Sequence, residues 1–299
     1  MISPGDASGL PCPAGLRAVV VSLLGCAAAT GACNTPPPES VGDVWQGPGG
    51  SWVEVFRDDF DGAANSAPDP ATWNVEERER GQNQELDFDT RARANSHLDG
   101  EGHLLIVARK ERIELSPGRL SNQPYTSARL NTRGHVELRH GRVEARIQLP
   151  TGRGLWPAFW LLGSNVDEVG WPESGEIDIL ELAGSRPHVV SGSLHGPGYA
   201  GSAALSRDVS LDSATFADDF HVFALEWTAE GIQWLLDGDV YHQRTKAGLA
   251  ALGLRWVFDG DFYLIVNLAV GGSFDGAPDE STPFPSRMAV DYVSAARLE

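Results

Sequence analysis

Three carboxylates stand within the seven-residue run Gly175-Glu176-Ile177-Asp178-Ile179-Leu180-Glu181, whose other members are apolar or glycine. Isoleucine and leucine alternating with another residue type favour an extended strand, in which successive side chains point to opposite faces. Glu176 and Asp178 then share one face, with about 7 Å between their Cα atoms. Glu181 stands an odd number of positions from both and falls on the other face. It can join them only if a β-bulge between Asp178 and Glu181 absorbs one extra residue. The run therefore predicts a sheet and, within it, one local break in register.

The rest of the chain reads as strands too. Gly102–Ala108, Phe220–Trp227 and the alternating Gly141–Leu149 suit strands bounded by turn residues, and Ile232–Leu236, Asp237-Gly238 and Val240–His242 form a hairpin with Asp-Gly at its turn. Phe262–Val270 is apolar apart from Asn267, the pattern of a strand covered on both faces, and Met288–Leu298 closes the chain. Neither a long amphipathic helix pattern nor a repeat is present. With 34 Gly and 19 Pro to supply turns, the expected fold is all-β: a sandwich or jelly roll of two stacked antiparallel sheets, as one domain over 52–299.

All three cysteines, Cys12, Cys26 and Cys33, lie in the first 33 residues, so the stability of the domain rests on its core. Arg17 followed by Ala18–Ala29 has the basic residue, short apolar stretch and small residues of a secretory signal, and it is too short to span a membrane stably. Leu23-Leu24-Gly25-Cys26 also resembles a bacterial lipoprotein processing box. Residues 1–33 are thus expected to be a leader, cleaved either before a lipidated Cys26 or near Ala32, with residues 34–51 as a Pro/Gly-rich spacer. The expected location is secreted or cell-envelope, with membrane contact only through the lipid. A formal net charge of −18 argues against a nucleic-acid partner.

Two carboxylates flanking a glycosidic bond are the minimum equipment for glycoside hydrolysis, one protonating the leaving oxygen while the other attacks or activates water. A solvated strand face is the bland alternative, weakened here by Ile177, Ile179, Leu180 and Leu182. A metal site is the other, but three ligands from one bulged strand are cramped for calcium. At these residues the chain resembles glycoside hydrolase family 16, whose laminarinase-like members carry Glu-Ile-Asp-Ile-x-Glu. The resemblance extends through Tyr125–Leu130, Gly154–Leu161, Leu194–Tyr199 and Asn267–Gly272. It implies a β-jelly-roll with a concave substrate cleft and a retaining endo-attack on β-glucan. Glu176 would be the nucleophile, Glu181 the general acid/base and Asp178 their helper.

The extra Leu180 points to the β-1,3-glucanase branch, so laminarin-like β-glucan is the expected partner of a monomeric enzyme. The rivals are a mixed-linkage glucanase, a transglycosylase and a glucan-binding protein without turnover. Trp156 and Trp160, four apart in one strand, share a face, and with Trp171 they are candidates for stacking on sugar rings. Trp227 and Trp234 are expected in the core or on the outer surface. The resemblance adds Asn83 and Arg129 on the glycone side and His195 near the acid/base. No cofactor is required for the chemistry. A structural calcium is implied at Asp59, Gly102 and Asp291, held partly by backbone carbonyls.

Overall fold

The computed structural model describes residues 45–79, 81 and 83–299, so the leader, its three cysteines and residues 34–44 of the spacer lie outside the described residues. Two eight-stranded antiparallel sheets stack face to face as a β-jelly-roll sandwich. One sheet runs in the order Leu205–Ser210, Val189–His195, Glu176–Leu182, Leu155–Gly163, Phe262–Val270, Arg129–Asn131 and Asn74–Val75, with Glu137–Leu138 also on Phe262–Val270. The other is built around Gly141–Gln148, which lies between His221–Trp227 and Ser286–Leu298. Beyond His221–Trp227 it continues with the Gly231–Leu236 and Asp239–Thr245 hairpin.

Alternation along the strands explains the layering. Gly141–Gln148 alternates buried and half-buried residues through all eight positions, sending Val143, Ala145 and Ile147 into the core. Phe262–Val270 is buried throughout: Leu264, Val266 and Leu268 join the main core, while Tyr263 and Ile265 form a second apolar cluster with Leu162 on the opposite face. The Asp-Gly hairpin turns at Asp237 and Gly238, both at positive φ, as a two-residue turn matched to strand twist requires. Trp227 and Trp234 are fully buried between the sheets.

The last spacer residues belong with the domain. The Trp45 carbonyl accepts from Gln243 Nε2 at 3.0 Å, and Ser51 exchanges backbone hydrogen bonds with Glu299. Contacts to the sandwich therefore begin before Trp52.

Candidate active site

Glu176–Leu182 lies inside its sheet, between Leu155–Gly163 and Val189–His195, and the required bulge is there. On one side Asp178 pairs with Ser193 and Glu181 with Ser191, so Ile179 and Leu180 together oppose Gly192. On the other side Phe159 pairs with Leu180 and Trp160 with Asp178, so there the residue without a partner is Ile179 rather than Leu180. Ile177, Ile179, Leu180 and Leu182 all enter the main core. The extra residue thus satisfies two demands at once: four aliphatic side chains face inward while Glu176, Asp178 and Glu181 share the outer face.

Strand register then lays the site out in rows. Arg129, Asn267, Ala158, Glu181 and Ser191 are successive partners across five strands. The next row runs Asn131, Ile265, Trp160, Asp178 and Ser193, and a third sets Glu176 opposite His195. Ala158, between Asn267 and Glu181, keeps the middle of the first row low.

His195 is held by a backbone donor. The Gly201 N–H donates to Nδ1 at 3.1 Å, which leaves the proton of the neutral ring on Nε2. That nitrogen lies 2.9 Å from Asp178 Oδ2 and 3.6 Å from Glu176 Oε1. The Trp156 indole N–H donates to Glu181 Oε1 at 3.0 Å, and its ring stacks on Phe274 with centroids 5.2 Å apart. Trp160 donates to Asn267 Oδ1 at 2.8 Å, and the Arg129 guanidinium sits 4.6 Å above its ring. Arg129 in turn pairs through Nε with Glu76 Oε1 at 2.9 Å.

Burial dominates the proton affinities of the acids. It pushes Glu176 up to about 8, with the neighbouring Asp178 charge adding to the effect and His195 opposing it. Glu181 rises to about 8 for the same first reason; Asp178 again adds, while His195 and the Trp156 N–H pull it back. Asp178 is raised by burial as well. Three carboxyls this close share protons and titrate as a unit, so near neutrality one can be ionised while another stays protonated. Ligand atoms of Glu176, Asp178 and His195 lie within 4.8 Å of one another, close enough to hold a cation. Raised proton affinity works against that use, because a hard cation needs the carboxylates ionised.

The structure brings Glu176, Asp178, Glu181, His195, Trp156, Trp160 and Arg129 onto one face. Trp171 stands at its edge, half exposed, with its ring centroid 6.0 Å from that of His195. Asn83 is exposed; its carbonyl accepts from the Ser273 N–H at 2.8 Å, beside the loop that carries Phe274. The shared face of Trp156 and Trp160 agrees with the reading of the sequence, but both indole N–H groups are spent on site residues rather than left free at a stacking platform. Glu76 and Asn131 escaped sequence reasoning, having nothing in their local pattern to mark them. Asn267 did carry a signal, as the polar exception in an apolar strand.

The residues named for calcium converge in part. A Cβ built on Gly102, which sits at φ +90°, would lie 3.8 Å from both the Asp59 carbonyl and Asp61 Oδ1, an oxygen-rich corner suited to a hard cation. The Asp59 carboxylate is held by Arg57 at 2.7 Å and Asp291 Oδ2 by Arg146 at 2.6 Å, so a cation would compete with guanidinium groups for side-chain oxygen.

Buried, proton-sharing carboxyls on the open face of a two-sheet sandwich define the class: a glycoside hydrolase. The model of glycosyl hydrolases family 16 matches residues 71–283, and the chain belongs to that family. A "Beta-glucanase" of Rhodothermus marinus is 40% identical over 253 residues, 82% of this chain and 85% of that protein. Among solved structures, the endo-beta-1,3-glucanase of Pyrococcus furiosus superposes with a TM-score of 0.78 at 44% identity, covering 87% of this chain and 99% of that one. The catalytic domain of an endo-1,3-beta-glucanase (laminarinase) from Thermotoga petrophila gives a TM-score of 0.77 at 42% identity, covering 84% and 99%.

Proposed function

We propose that the protein is an exported, retaining endo-β-1,3-glucanase that hydrolyses laminarin-like β-glucan by double displacement. The observation that carries this reading is the bulge at Ile179 and Leu180, which sets Glu176, Asp178 and Glu181 on one face. In the first step a Glu176 carboxylate oxygen attacks the anomeric carbon and the bond to the leaving oxygen breaks, its electron pair taking the proton from Glu181. In the second, Glu181 accepts a proton from water as that water attacks the same carbon, and Glu176 leaves with the ester electron pair. Such a mechanism asks for the two working carboxyls about 5 to 5.5 Å apart. Asp178 with His195 shares the proton and keeps Glu176 available as an anion. Trp156 aims Glu181 through Oε1, leaving its other oxygen for the proton.

Arg129, Trp160 and Asn83 on one side and Trp171 on the other line the glucan path. The preference for β-1,3 linkages rests on the relatives' activities and on the extra bulge residue. The proposal extends to export through an N-terminal leader cleaved either near Ala32 or before a lipidated Cys26, the lipid then being the only membrane contact, to a monomeric state, and to a structural calcium at Asp59, Gly102 and Asp291. Reducing-sugar release from a panel of β-glucans, with NMR of the first product, tests the core of it. Laminarin should be cleaved fastest and the first product should keep the β-configuration. Inversion would remove Glu176 from the nucleophile role, and faster cleavage of lichenan would favour the mixed-linkage reading.

A further inference from the structure

Behind the three acids, the opposite sheet reaches across the core to touch the bulge. Trp234 stands on Gly231–Leu236, is fully buried, and donates its indole N–H to the backbone carbonyl of Asp178 at 2.7 Å. That carbonyl begins the peptide unit joining Asp178 to Ile179, the point at which the register shifts. A bulge disrupts the ladder locally, and a buried carbonyl left without a donor there is costly. The indole supplies a donor from the far sheet.

Two further features fit the same purpose. Gly192 is the residue facing the bulge, and a Cβ added there would come within 2.6 Å of both Trp234 Cδ1 and the Tyr241 hydroxyl and within 2.9 Å of Trp234 Nε1. Absence of a side chain at 192 lets the indole come close beneath this strand. On its other side Trp234 packs against the tilted ring of His242, centroids 4.4 Å apart, so the indole is wedged in place.

We infer that Trp234 is a positioning residue for catalysis: by holding the Asp178–Ile179 peptide it sets the directions in which Asp178 and, beyond the bulge, Glu181 leave the strand. The hydrogen bond constrains the backbone rotation next to Asp178, and Glu181 inherits any error through the two bulge residues. Displacements of about 1 Å at reacting groups can cost about 100-fold in rate. The inference rests on the glycosidase reading, and wild-type turnover of laminarin tests that reading separately.

Trp227 provides a matched control. It is equally buried, lies on the adjacent strand of the same sheet, and donates its indole N–H to the Phe258 carbonyl at 3.0 Å, a residue outside the strand that carries the acids. Trp234→Phe and Trp227→Phe each remove one buried indole donor from one backbone carbonyl, so a general loss of stability should affect them alike. Kinetics on laminarin should separate them. Trp234→Phe is expected to lower kcat about 10- to 100-fold with KM within about twofold and with a changed pH profile, while Trp227→Phe keeps kcat and pH profile near wild type. Equal losses in the two variants, or a wild-type kcat and pH profile in Trp234→Phe, would overturn the inference. If Trp234→Phe does not fold, Gly192→Ala in a Tyr241→Phe background, which removes the hydroxyl that the new Cβ would also meet, poses the same question when compared with Tyr241→Phe alone. A kcat in that double variant equal to that of Tyr241→Phe, or failure of both Trp234→Phe and the double variant to fold, would reduce Trp234 to core filler and overturn it as well.

Discussion

Replacing Glu181 with glutamine should produce a protein that is almost inactive and more stable, with the gain in stability growing as pH rises. Burial lifts the Glu181 carboxyl from 4.5 to about 8. A group raised on folding contributes its full stability below the unfolded value and loses it as pH climbs through the folded one, here between 4.5 and about 8. At about 1.4 kcal/mol per pH unit, that interval amounts to about 5 kcal/mol for a site titrating alone. Glu176 and Asp178 share the protons, so a single substitution recovers a fraction, about 2–3 kcal/mol above about pH 8 and almost nothing at about pH 4. Glutamine keeps an Oε1 to accept from Trp156 Nε1, which donates to Glu181 at 3.0 Å, so the site should not collapse. Urea unfolding reads the effect: with a slope near 3 kcal/mol/M, the midpoint should rise by about 1 M at about pH 9 and stay put at about pH 4. The same sample should have lost about 1,000-fold or more in kcat on laminarin, because the leaving oxygen no longer receives a proton. A stability difference equal at both pH values, or one favouring the wild type at the higher pH, would refute the argument that burial of the charge sets this proton affinity.

Other outcomes follow from the same geometry. Glu176→Ala should abolish hydrolysis, and added azide should restore turnover of an activated β-glucoside with an α-glucosyl azide as product; β-azide by NMR would exclude Glu176 as nucleophile. Trp156→Phe removes the donor to Glu181 but retains a ring to stack on Phe274. It should cut kcat/KM by about 10-fold and move the alkaline limb of the pH profile upward, since that N–H holds the Glu181 proton affinity down; a downward move would contradict the assignment. For the proposed calcium, the melting temperature should rise in millimolar CaCl2 and fall in chelator, and Asp291→Asn should flatten both responses. Identical melting curves with and without calcium would argue that Arg57 and Arg146 alone satisfy the Asp59 and Asp291 side chains.

How much was readable from the chain differs residue by residue. The acids and the bulge were legible because strand periodicity is strictly two, so an odd offset from Glu176 to Glu181 can be reconciled only by an extra residue. Phe262–Val270 was legible from its apolar run, and the Asp237-Gly238 turn from the Asp-Gly pair, residue types that tolerate the positive φ both positions adopt. Which bulge residue lacks a partner was not legible, because it is decided by neighbouring strands: Phe159 takes Leu180 on one side, whereas Gly192 faces both Ile179 and Leu180 on the other. Nor could the spacing of Trp156 and Trp160 say that one indole would aim Glu181 and the other would be fixed by Asn267.

From the sequence alone come the periodicities: strands, turns, a three-acid face that requires a bulge, and through the motif the family and its chemistry. Tertiary structure decided the distant partners: Glu76 for Arg129 and Trp234 for the Asp178 carbonyl. The physical reason is distance along the chain. Side-chain alternation is a local property of the backbone and leaves its mark within a few residues. A hydrogen bond between Trp234 and Asp178 spans 56 positions and exists only because two sheets, each folded by its own local pattern, stack on a common core.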